Sequence, residues 1–141
     1  MTRFFMTSIL LLILASVSFA QKEPEHPIDK ALGACVEKDG SNAGVIECTE
    51  KAYQAWDKEL NKNYGALMRK LKPGQKEALR VAQLEWIKHR DADFKFIDSV
   101  YDSLEGTMYI SMRIEDRTDL VKSRALKLKI FLDLITDAAA P

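Results

Sequence analysis

The chain has 141 residues, 47% of them hydrophobic and 30% charged, with 21 basic and 21 acidic side chains. That length supports a single domain with one modest core. Balanced charge removes the electrostatic reason to expect nucleic acid as a partner, and by the same total gives none for a membrane surface.

Arg3, the apolar run Ile9 to Ala15 and then Ser18-Phe19-Ala20 predict a secretory signal peptide over residues 1–20, with cleavage after Ala20. The run is too short to span a bilayer, and no cysteine stands at the junction to carry a lipid. The product is therefore expected in a periplasm or outside the cell, without a membrane anchor. Removal of Arg3 leaves the mature chain with a charge near −1.

Residues 21–26 are polar and proline-flanked and read as a flexible arm. Pro27 suits a first helical turn, so a short helix is predicted from there to about Lys38, carrying Cys35. Asp39-Gly40-Ser41-Asn42-Ala43-Gly44 has turn chemistry, and Cys48 follows it. These are the only two cysteines, and in an exported chain pairing is the default expectation. A Cys35–Cys48 bridge would close the loop and add roughly 3 kcal/mol in the chain-entropy account. Neither cysteine forms a zinc-type spacing with His26 or His89, so no metal and no cofactor is expected.

From Val45 to Leu71 the stripe Val45, Thr49, Ala52, Trp56, Leu60, Tyr64, Leu67 and Leu71 advances in steps of three and four, the pattern of a long amphipathic helix. Pro73-Gly74 ends it. A second long helix carries Leu79, Ala82, Trp86, Phe94, Ile97 and Tyr101 on one face. The pattern lapses over Ser103 to Thr107. A last helix runs from about Met108 to Ile135, with Met112, Leu120, Leu128, Phe131 and Ile135 as inward positions. No stretch alternates with period two, so the prediction is an all-α bundle or hairpin of one short and three long helices within residues 27–136, followed by a tail over 137–141.

Two polar sets lie along these stripes. Asp57 and Asn61 are four apart beside Trp56 and Leu60; Gln83, Trp86 and Arg90 share a face with Phe94. An arginine within an apolar stripe needs an acceptor, because an unpaired buried charge is costly. An antiparallel hairpin about Pro73-Gly74 would set residues near 57–61 opposite residues near 86–90. The expected network is therefore a bidentate Arg90–Asp57 pair with Asn61 and Gln83 nearby.

The order Cys35, Cys48, Trp56-Asp57-x-x-Leu60-Asn61-x-x-Tyr64, Leu67, Leu71, Leu79, Ala82-Gln83-x-x-Trp86-x-x-x-Arg90-Asp91 resembles the LprI-type lysozyme-inhibitor domain over about residues 31–128. The resemblance implies a small exported helical protein whose founding relative, a mycobacterial lipoprotein, inhibits lysozyme. Family members commonly carry a further cysteine at the place of Phe94 and another near Asp116; both are absent here, as when one disulfide is lost as a unit. Arg124 falls where the family usually has an arginine, and Val121 replaces a common threonine.

No catalytic residue is assigned. A carboxylate held by arginine has a lowered pKa unsuited to proton donation near neutrality, and no nucleophile has a recognisable setting. The aromatic residues recur at helical spacing and read as core rather than a carbohydrate platform. The expected function is non-enzymatic binding of a protein partner, a lysozyme first of all. The stapled loop from Lys38 to Gly44 would enter its cleft, with Lys38 facing a catalytic carboxylate and Ser41 and Asn42 offering hydrogen bonds. The alternatives are an immunity or accessory protein for another envelope enzyme or toxin, or a structural envelope module. The sequence sets no oligomeric state.

Overall fold

The computed structural model describes residues 25–138; the predicted signal peptide and most of the predicted arm lie outside the described residues. Four helices follow in order: α1 (Pro27–Lys38), α2 (Asn42–Lys70), α3 (Pro73–Tyr101) and α4 (Met108–Asp137). No strand occurs among the described residues. One disulfide joins Cys35 to Cys48, with 5.8 Å between their Cα atoms.

Helix ends follow local chemistry. At α1 the His26 Nδ1 accepts the Ile28 N–H at 3.3 Å, and Pro27 occupies the first turn. Ser41 caps α2, its hydroxyl accepting the Gly44 N–H at 3.1 Å. Leu71 and Lys72 separate α2 from α3, and the Gln75 side-chain oxygen accepts the Lys72 N–H at 3.0 Å. The helix breaker Pro73 thus opens α3 rather than closing α2.

The helices run alternately. Asn42 bonds Thr107 near the start of α2 and α4, while Asn63 bonds Ala125 further along both, so these two helices are parallel. Links from Gln83 to Arg124 and from Asp102 to Arg113 make α3 antiparallel to α4, and the disulfide with the Asp29–Trp56 bond makes α1 antiparallel to α2.

The core lies between α2 and α4. Trp56, Leu60 and Leu67 meet Val121, Ala125 and Leu128, with Leu71, Leu79, Trp86, Phe94, Leu132 and Ile135 packed around them. Trp56 is 1% exposed, its indole N–H donating to Asp29 Oδ1 at 3.2 Å. Burying such a side chain fully is worth several kcal/mol, judged by the roughly 3–5 kcal/mol cost of truncating a core Trp or Phe to Ala.

Two expectations are corrected. The predicted α2–α3 hairpin is not the main packing unit, because the stripe of α2 is covered chiefly by α4. α3 is the more superficial helix, with Gln83 as its one buried side chain. On α4 the inward positions are Ser111, Thr118, Val121, Ala125 and Leu128; Met112 and Phe131, expected inside, are exposed. Small and β-branched residues turn inward because α4 lies close against α2, while Met108, Ile110, Met112, Leu126, Ile130, Phe131 and Leu134 on the same helix are exposed.

Candidate functional site

The polar residues of the two motif stretches do not converge. Asp57 is bonded within its own helix, its carboxylate and its backbone carbonyl accepting from the Asn61 amide at 3.1 and 2.9 Å. Arg90 bonds its neighbour Asp91 at 2.6 Å and lies over two rings, its guanidinium carbon 5.4 Å from the Trp86 centroid and 5.6 Å from that of Phe94. The expected Arg90–Asp57 pair is therefore absent. The reason is geometric: i±4 neighbours on α3 supply Arg90 with aromatic faces, an adjacent carboxylate supplies its acceptor, and α3 docks on α4 instead of registering along α2. Tyr53 feels both groups. Burial first, and then the Asp57 charge, push its hydroxyl above the ordinary range, partly offset by Arg90 and Arg117.

Gln83 serves a different arginine. Its side-chain oxygen accepts from Arg124 Nε at 3.0 Å, and Arg124 also lies 5.7 Å from the Trp86 centroid. On the far side of the row, Arg117 stands 4.9 Å from the Phe94 centroid and is bonded to Asp98. The sequence Arg124, Trp86, Arg90, Phe94, Arg117 thus forms an alternating cation and ring ladder between α3 and α4. Each partly exposed contact contributes about 0.5–1 kcal/mol. Phe94 meets Arg117, and Tyr101 donates to Asp116 at 2.6 Å. In this region α3 and α4 are joined by stacking and hydrogen bonds. Among the described residues Arg124 has no carboxylate partner and its Nη2 is buried without an acceptor; desolvation pulls its pKa down.

Asn63 was missed by periodicity. It is buried, and its amide donates to the Ala125 carbonyl at 3.1 Å, linking α2 to α4. An asparagine three residues after Leu60 and four before Leu67 is the available signal, because it occupies the same helical stripe.

At the opposite end from the α2–α3 turn, the stapled segment is shorter than expected. α1 already includes Lys38 and α2 already includes Asn42, leaving Asp39, Gly40 and Ser41 as the connection. Asp39 Oδ1 accepts the Ser41 N–H at 3.0 Å; the Ser41 hydroxyl first, and then this N–H, hold the Asp39 carboxyl below the usual range. Gly44 is required by close approach: an added Cβ would sit 2.5 Å from the Asp39 carbonyl oxygen. Ser41 is committed to its cap and Asn42 donates to Thr107 Oγ1 at 2.9 Å. Lys38 is exposed and makes no ion pair among the described residues.

The Asn42–Thr107 bond brings a second loop to this end. Residues 102–107 connect α3 to α4, with Gly106 at φ +123°, a conformation that favours glycine. A hollow of about 460 Å³ opens there, lined by Tyr101, Leu104, Tyr109, Ile110 and Arg113 among others. Another of about 440 Å³ lies beside the disulfide, lined by Lys38, Asp39, Glu47 and Lys51. Neither gathers a nucleophile with a base, and no cluster of three or more potential metal ligands occurs among the described residues.

A bundle of one short and three long helices with a single staple near its N-terminus defines a disulfide-bonded all-α domain. The family model for the lysozyme inhibitor LprI matches residues 35–128, two-thirds of the chain, and the protein belongs to that family. Among solved structures it is similar to an uncharacterised protein from Burkholderia thailandensis, with a TM-score of 0.74 and 28% identity over 80% of this chain and 56% of that one. The present chain thus spans little more than half the length of that neighbour. No functionally curated protein matches the sequence.

Proposed function

We propose that the protein is an exported, non-enzymatic binding protein that inhibits a lysozyme through its stapled end. The observation carrying this reading is the family match, which starts at Cys35 and runs through the helices that hold this end in place. The three-residue connection between α1 and α2 is a small, pre-ordered projection. Its disulfide, its serine cap and its tie to Thr107 reduce the ordering entropy that binding would otherwise require. Lys38 supplies the free cation for a cleft that carries two catalytic carboxylates. Ser41 and Asn42 contribute mainly by setting the shape of the connection, since their side chains already have partners. The α3–α4 loop, beside them, widens the contact.

Lysis of bacterial cell walls in the presence of the mature protein tests this. Dose-dependent inhibition of at least one lysozyme type is expected, and Lys38→Glu should weaken it by about tenfold or more, as for other charges buried on binding, with unchanged helicity. Absence of inhibition at micromolar protein across several lysozyme types would overturn the reading.

A further inference from the structure

The near-zero total charge conceals a segregation along the bundle. Residues 60–76 contain five basic side chains and no acidic one. Lys62 is bonded to Glu59, but Arg69, Lys70, Lys72 and Lys76 make no ion pair among the described residues, and all four stand around the α2–α3 turn. Elsewhere many cations are neutralised locally, as in Lys51–Glu47, Arg80–Glu77 and Lys88–Glu85. The opposite end is rich in carboxylates, among them Asp39, Asp102, Glu105 and Asp116.

The parallel course of α2 and α4 delivers apolar surface to this same basic end. Leu67 and Leu71 pack in one cluster with Leu128, Leu132 and Ile135, so the end of α4 lies level with the turn. There Ile130 is 57% exposed, Phe131 43% and Leu134 62%. Lys127 lies beside them, its Nζ 5.1 Å from the Phe131 centroid and without a carboxylate partner among the described residues. Unpaired cations together with protruding apolar side chains are what an anionic bilayer surface recognises: the cations meet the headgroup charge and the apolar groups enter the acyl boundary. Among the described residues no helix is long and apolar enough to cross a membrane, and the contact argued here is a peripheral one.

We infer that the α2–α3 turn and the end of α4 form a docking surface for anionic phospholipid headgroups. A soluble polyanion would use the cations alone and leave Ile130, Phe131 and Leu134 without a role, which is why the lipid surface is favoured. The surface lies at the far end of the bundle from Lys38, so a docked molecule leaves the stapled end facing away from the membrane.

Co-sedimentation of the mature protein with phosphatidylglycerol-containing vesicles and with pure phosphatidylcholine vesicles tests this. Binding is expected only to the former, and it should fall by about tenfold or more as NaCl rises from about 50 mM to about 300 mM. Each neutralised cation should weaken it by about fivefold, and the combined Arg69→Glu, Lys70→Glu and Lys72→Glu variant by more than about a hundredfold. Leu134→Ser should weaken it severalfold and leave the salt dependence in place. These positions are exposed, and circular dichroism should show unchanged helix content. No preference for phosphatidylglycerol would overturn the proposal. So would wild-type affinity in Leu134→Ser combined with full competition by soluble polyphosphate, which would mark a polyanion site.

Discussion

Arg124 is the residue whose surroundings most constrain the interior between α3 and α4. Its guanidinium is partly desolvated, it stacks near Trp86, and among the described residues the Gln83 oxygen is its one side-chain acceptor. Replacing Gln83 with Leu leaves that charge without an acceptor and should cost about 1–3 kcal/mol. Adding Arg124→Met removes the charge itself and should recover most of the loss. A urea-denaturation double-mutant cycle measures this, and additive losses would mean that the two side chains are independent. Glu115 makes a second prediction at this scale. Desolvation, then Asp119 and Asp116, raise its pKa, so the folded state favours the protonated form. At neutral pH the carboxylate is ionised in both states and the fold bears the penalty; below the usual carboxylate range both states are protonated and the penalty is gone. Glu115→Gln should therefore melt higher than wild type at pH 7, with the gap closing as the pH falls toward about 3.5. A gap that persists in acid would exclude the charge as its origin.

Among the elements, α1 is held by few contacts. It has no fully buried side chain and is secured by the disulfide, by Asp29 with Trp56 and Lys122, and by His26 beside the Trp56 ring. Reduction, or paired Cys35→Ser and Cys48→Ser changes, should release α1 as a local unit while α2 and α4 persist. Hydrogen exchange would show protection lost over residues 27–38 and kept around Trp56 and Leu128; simultaneous loss in both regions would show that the staple supports the entire bundle. The same elements show how far the sequence could be read. Helix number was legible because Pro27, Pro73 and the lapse before Met108 are local signals, whereas Ser41, expected within a loop, caps an α2 that starts three residues before the expected Val45. The α2 stripe was legible because a single face, Thr49 through Leu67, is covered. Partner choice was not. Trp86, Arg90 and Phe94 mark an apolar face without naming the helix it meets, and the expected Arg90–Asp57 pair failed because α4, far away in sequence, supplies the facing surface. Periodicity also overvalued Met112 and Phe131, since it scores hydrophobicity where close approach to α2 selects Ala125 and Val121. The stapled connection was legible as a turn, but its hydrogen bond to Thr107 depends on a contact 65 residues away.

At the scale of the whole bundle, the described residues form two unlike ends: a hydrogen-bonded, carboxylate-rich end bearing Lys38 and the α3–α4 loop, and a basic end with exposed apolar side chains. The proposed lysozyme inhibition rests on family membership, and the proposed contact at the stapled end rests on a backbone that is fixed before binding. That is the central claim, and it requires the protein and a substrate-like oligosaccharide to compete for one cleft. The most direct measurement is binding of the mature protein to an inhibited lysozyme, by calorimetry, with and without a saturating chito-oligosaccharide. The account predicts mutually exclusive binding, with Lys38→Glu weakening only the protein's affinity; a ternary complex in which lysozyme holds both ligands at full affinity would contradict it.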